Sequence, residues 1–162
     1  MEKLLNYMIC SILKEKEEIV HIAMKQRSKF EGWLKLELAH SLSEYFGDVE
    51  IECSRDNSLV DIYAGGSLVE LKTPNTNYRV DNVGTKTRPI TNNIDSIIKD
   101  IQKLKGLSDQ SEPHYIAFVL FPIDEDGAYK MHIQKIMCHC NSIVEKEVSV
   151  CGIKVLAFTA SC

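Results

Sequence analysis

The chain has 162 residues, 44% of them hydrophobic and 26% charged, with a net charge of −4. At that length one domain buries about two-thirds of its unfolded surface, enough for a real core, and the composition is that of an ordinary soluble protein. With no global basic field, a polyanionic partner would have to be met by a local basic patch or by metal ions.

No apolar run approaches the ~18 residues that a membrane span requires, and no secretory signal is visible. Six cysteines at positions without a disulfide-framework spacing fit reduced thiols and a cytoplasmic location. Cys138-His139-Cys140 lacks the second paired knuckle of a structural zinc site and reads as buried small hydrophobes.

In chain order, residues 3–26 read as helix, with Leu4, Leu5, Met8, Ile12, Ile19, Val20 and Ala23 as a stripe. The charge run from Lys14 to Glu18 is a solvated face or a break between two helices. Residues 29–46 form a second helix, with Phe30, Trp33, Leu34, Leu38, Leu42 and Tyr45 at three- and four-residue steps and Gly47 as its stop. Strands follow at 49–53, 59–64 and 68–73.

Residues 74–91 lack periodicity, hold two prolines and several Asn and Thr, and are expected to form a long loop that moves freely without substrate. Helix returns over 92–105 on Ile94, Ile97, Ile98, Ile101 and Leu104. The apolar run 115–121 marks a strand buried on both faces. After a turn at 124–127 come a short helix near 133–140 and strands at 148–150 and 154–159. The plan is one mixed α/β domain: a helical extension over 1–28, a core over about 30–122 and C-terminal strands over 123–162.

The stretch from Val60 to Lys72 carries the chemistry. Gly65-Gly66 suits a two-residue primed turn, which sets Ala64 opposite Ser67, Ile62 opposite Val69 and Asp61 opposite Glu70. Val60, Ile62, Val69 and Leu71 then share a core face, while Asp61, Glu70 and Lys72 share the other. Like charges directly opposite are destabilising. Either a hard divalent cation between the carboxylates or a bridging Lys72 would offset the repulsion. On the second helix, Glu37 lies seven residues beyond Phe30 and three beyond Leu34, where a carboxylate needs either a partner or a way out to solvent.

Asp61 followed by Glu70-Leu71-Lys72 resembles the PD-(D/E)xK nuclease signature, with Val60 where that family often has proline. Glu37 sits where many members carry an extra acidic residue, residues 54–61 look like the turn leading into the motif, and the order helix, three strands, helix, strand is similar to the family's core. The Gln-x3-Tyr pattern of one branch is not matched, because Gly106 stands four residues after Gln102.

The resemblance implies a restriction-endonuclease-like core and a metal-dependent phosphodiesterase. Asp61, Glu70 and the backbone carbonyl of Leu71 would bind Mg2+, or Mn2+ in its place, with Glu37 as a further ligand. Lys72 would position or help deprotonate the attacking water. The implied partner is nucleic acid, DNA first, contacted by Tyr78, Arg79, Lys86 and Arg88 of the loop. The loop reads equally as a solvated segment of ordinary charge. A chain this short has little room for a DNA-reading domain, so specificity would need a homodimer or a partner subunit. The competing reading is a catalytically silent domain of the same fold that binds nucleic acid or protein.

Overall fold

The computed structural model describes residues 1–84, 89–109 and 111–162. Its elements are α1 (Glu2–Glu15), α2 (Glu17–Lys25), α3 (Glu31–Phe46), β1 (Val49–Arg55), β2 (Ser58–Ala64), β3 (Ser67–Lys72), α4 (Ile90–Lys105), β4 (His114–Leu120), α5 (Lys130–Met137), β5 (Ser142–Val150) and β6 (Ile153–Ser161). The charge run near residue 16 is a break between two helices, since Lys16 leaves the helical region between α1 and α2.

The strands form one mixed six-stranded sheet in the order β1-β2-β3-β4-β6-β5. β1, β2 and β3 make an antiparallel meander, α4 crosses over to a β4 parallel with β3, and β6 and β5 return antiparallel. Gly65 and Gly66 both hold positive φ, 55° and 72°, as a primed two-residue turn requires. The pairs Ala64↔Ser67, Tyr63↔Leu68 and Ile62↔Val69 follow in the expected register.

β4 shows why a continuous apolar run was needed. Tyr115, Ala117 and Val119 pack toward α1–α3, while Ile116, Phe118 and Leu120 pack toward α4 and α5. Helices thus cover both faces of the sheet, and β4 turns apolar side chains to both of them.

The tail differs from expectation in extent. The strands expected at 148–150 and 154–159 belong to a nine-on-nine-residue hairpin turned at Cys151-Gly152. Glu145, Lys146 and Glu147 hid its first half. They are exposed on β5, an edge strand where charge discourages pairing with a further chain.

The loop after Lys72 also differs. Thr73, Asn75 and Thr76 are 1% exposed or less. Asn75 bridges to Phe121, the Thr76 amide donates to the Phe121 carbonyl at 2.8 Å, and the Thr76 hydroxyl donates to Pro122 O at 2.6 Å. Arg27, 3% exposed, donates its guanidinium to the carbonyls of Thr76, Tyr78 and Gly84. Residues 73–76 are therefore packed into the core, while Arg79, Asp81 and Asn82 beyond them are exposed.

The cysteines are mixed: Cys10 and Cys53 are buried, Cys138 and Cys151 are exposed, and none forms a disulfide. Cys138 therefore corrects the reading of its motif as buried hydrophobes. No helix among the described residues is long and apolar enough to cross a membrane.

Candidate functional site

The ladder between β2 and β3 ends at Ile62↔Val69, one residue short of Asp61 and Glu70. β1–β2 pairing is also interrupted there, passing from Ile51↔Ile62 to Cys53↔Val60 while Glu52 takes a left-handed φ of 54°. β2 turns over at this break. Ile62 stays with the α1–α3 side, but Val60 is buried with Cys53, Leu68, Leu104 and Leu107 on the α4 side. The expected shared core face of Val60 and Ile62 is thereby corrected.

The Asp61 carboxylate fills the gap that opens between the strands. Its Oδ2 accepts the Leu71 amide at 2.8 Å, standing in for a ladder carbonyl. Its Oδ1 meets the Lys35 ammonium of α3 at 3.3 Å, and Lys35 also bonds Glu52 at 2.9 Å.

Glu70 and Lys72, two apart on β3, lie on the α4 side. Glu70 is 4% exposed. Its Oε2 lies 2.9 Å from Lys103 Nζ and its Oε1 lies 3.5 Å from Lys72 Nζ. Lys72 Nζ also lies 3.6 Å from Glu31 and 3.7 Å from Asp100. Lys103 makes a second bond to the Leu59 carbonyl at 2.9 Å, which ties α4 to both strands of the hairpin. The repulsion expected between Asp61 and Glu70 is thus offset by three lysines rather than by Lys72 alone.

Burial, helped by the Asp61 charge, raises the Glu70 pKa, and Lys103 and Lys72 pull against the rise. Asp100 is raised for the same first reason, with Lys72 and Lys103 opposing it. Burial works against the Lys72 ammonium, but Glu31, Asp100, Glu70 and Asp61 together outweigh it and raise its pKa. Lys72 therefore carries its charge across the neutral range.

Glu37 is elsewhere. Two residues past Lys35 it has turned about 200° around α3. Its neighbours one and two turns on, Ser41 and Glu44, line a groove against Tyr7, Met8 and Glu15 of α1. The acid that α3 brings to the cluster is Glu31, in its first turn, where it also accepts the Thr73 amide at 3.2 Å. A first-turn glutamate looks like ordinary helix-dipole compensation, so nothing local sets Glu31 apart. Asp100 had a weak signal, since it stands about 40° from Leu104 around α4, at the edge of the apolar stripe. Lys103, also on α4, gave no local sign of a partner, since its ion pair with Glu70 is made by the tertiary fold.

Of the loop residues, Tyr78 packs against the α4–α5 core with its hydroxyl shielded from solvent, which does not suit an open stacking platform. Arg79 is exposed and borders a cavity of about 810 Å3 shared with Lys25, His21 and Lys154, but also with Asp81, Asp124, Glu125 and Asp126. Lys86 and Arg88 lie outside the described residues.

The donor set of Asp61 and Glu70 is hard oxygen, suited to Mg2+ or Mn2+. Among the described residues no group of three or more His, Cys, Asp or Glu side chains is placed to hold a metal ion. A cation would therefore sit on two carboxylates and complete its shell with water and substrate oxygens, as Mg2+ commonly does. The geometry defines an α/β protein with a charged cluster at the broken end of its central hairpin. Compared with protein-family models, curated proteins and solved structures, the chain matches none.

Proposed function

We propose that the chain is a metal-dependent phosphodiesterase acting on nucleic acid, DNA first, on a restriction-endonuclease-like core. The observation that carries the reading is the burial of Glu70 at 4% exposure beside Asp61 and Lys72. Removing a carboxylate from water is costly, and a purely structural contact there would be served as well by apolar side chains. Buried, mutually perturbed charges gathered in one place are the mark of sites that handle charge in a reaction. The meander, crossover helix and parallel β4 support the core assignment.

In this reading Asp61 and Glu70, with the Leu71 carbonyl, would hold Mg2+ or Mn2+. The metal supplies Lewis-acid stabilisation of phosphate charge and an acidified water. Lys72, whose ammonium is favoured by the surrounding carboxylates in the metal-free protein, would orient the water or the phosphate. Glu31 and Asp100 hold the Lys72 ammonium in place, and Asp61 fixes the start of the motif by capping the Leu71 amide. Glu37 has no part. The test is Mn2+-dependent cleavage of linear, nicked, branched and single-stranded substrates by wild type and Asp61→Asn. Absence of metal-dependent cleavage across the panel would sink the enzymatic reading.

A second reading is favoured by one observation: both acids already meet lysines. A silent domain of this fold, serving as a nucleic-acid or protein-binding subunit, would keep such a neutralised cluster for structure alone. Nucleic-acid binding without cleavage, unaffected by Mn2+, would favour it.

A further inference from the structure

All four carboxylate oxygens of the Asp61–Glu70 pair are engaged. Asp61 Oδ2 is bonded to the Leu71 amide, and the other three oxygens face Lys35 at 3.3 Å, Lys72 at 3.5 Å and Lys103 at 2.9 Å. The closest of the three lysine contacts is the one between Lys103 and Glu70. It involves the more buried carboxylate and comes from α4, outside the hairpin that carries the motif. Lys103 also has a second acceptor within reach, the Leu59 carbonyl at 2.9 Å, and 28% of its side chain is exposed. It can leave Glu70 without being stranded.

We propose that Lys103 is a built-in competitor for the metal, holding Glu70 until a divalent cation displaces it. The inference rests on the metal-site reading. A cation bonded to Glu70 at ~2.1 Å and an ammonium at hydrogen-bond distance from the same oxygen cannot share that position, because both need its lone pairs and they repel each other. While Lys103 is in place, the buried carboxylate is neutralised and the fold tolerates it. When the metal arrives, the ammonium retreats to Leu59 and solvent, so metal affinity is lowered by the strength of the contact it breaks. Lys35 is placed in a similar way on Asp61, but it lies closer to Glu52, at 2.9 Å, and competes more weakly.

The experiment is Mn2+ titration, following the free-ion paramagnetic resonance signal, of the full chain as wild type, Lys103→Met, Lys103→Arg and Lys35→Met. An ion pair to a buried carboxylate converts to roughly ten- to hundredfold in affinity. Lys103→Met is expected to bind Mn2+ tighter by that factor, Lys103→Arg to stay near wild type, and Lys35→Met to gain less. Lys103→Met is also expected to melt lower without metal, since it removes the nearer of the two cations that neutralise Glu70.

Equal Mn2+ affinity in wild type and Lys103→Met would overturn the competitor role while leaving the metal site standing. Failure of every variant to bind Mn2+ would overturn the metal reading, and this proposal with it. Should Lys103→Met fail to fold, acylation of wild-type lysines with acetic anhydride, read by mass spectrometry, decides the matter. Mn2+ is expected to raise the reactivity of Lys103 severalfold, and bound Mn2+ with unchanged reactivity would refute the displacement.

Discussion

Arg27 and Glu70 are both charged and both nearly excluded from water, at 3% and 4% exposure. They flank the same segment, Thr73 to Tyr78. Arg27 meets backbone carbonyls of Thr76, Tyr78 and Gly84, acceptors that cannot move without unravelling the chain. Glu70 meets lysine side chains, Lys103 and Lys72, each with another partner within reach. The first arrangement spends a buried charge on rigidity. The second keeps a buried charge neutralised by groups that can swing away, which is what a site needs if it is to trade one cation for another. Burial alone does not distinguish a structural charge from a functional one. The mobility of the partners does.

The comparison breaks most visibly at Arg27. Arg27→Met would leave the buried Thr76 carbonyl without its guanidinium donor, at about 1–3 kcal/mol, and would cost less at the part-buried Tyr78 and Gly84 carbonyls, besides removing a buried side chain. We expect a loss of roughly 3 kcal/mol or more, seen as a fall of about 6–12 °C in Tm for a domain of this size. A loss under about 1 kcal/mol in thermal melting would mean that the loop holds itself and the guanidinium is incidental.

Next comes Asp61→Asn. If the proposed metal site stands, metal at about a hundredfold over Kd is expected to add ~2.7 kcal/mol to wild type and little to the variant, with cleavage lost. Because Asp61 pairs with Lys35 and caps Leu71, the metal-free variant is expected to be less stable than wild type by about 1 kcal/mol, not more stable as simple relief of repulsion would give. Equal Mn2+ shifts in Tm for the two proteins would exclude Asp61 as a ligand.

A subtler difference lies in the pH dependence. The pKa of Glu70 is raised in the folded state by burial. Its neutral form therefore favours folding below the ordinary carboxylate range, and that contribution is lost as pH rises through the folded value. Glu70→Gln does not titrate, so its stability relative to metal-free wild type is expected to rise as pH increases above the ordinary carboxylate range. Asp100, raised in the same sense, leaves a residual slope in both proteins. Chemical denaturation across that range checks the sign, and a relative fall in the variant would show that the lysines over-compensate Glu70. The smallest effect belongs to Glu37→Gln, expected within about 0.5 kcal/mol of wild type with its Mn2+ shift intact. Glu31→Gln, which unties Lys72, is expected to reduce cleavage. A lost Mn2+ shift in Glu37→Gln would return that residue to the site.

Much of this was legible from local pattern. Gly65-Gly66 dictated the register of the hairpin, because only a primed turn with two positive φ values fits two residues there. The unbroken run in β4 announced a strand covered on both faces, and the spacing of Asp61, Glu70 and Lys72 placed three charges at one end of the hairpin. Other features depended on contacts far apart in sequence. That Glu31 rather than Glu37 faces the cluster depends on how α3 is rotated against β2, which is set by packing against α1. That Lys103 reaches Glu70 depends on the α4 crossover. The packing of Thr76 and Tyr78 depends on Arg27, some fifty residues from the carbonyls it binds. A turn carries its own geometry in its residues. A buried charge takes its meaning from whichever distant group arrives to neutralise it, and only the folded chain decides which group that is.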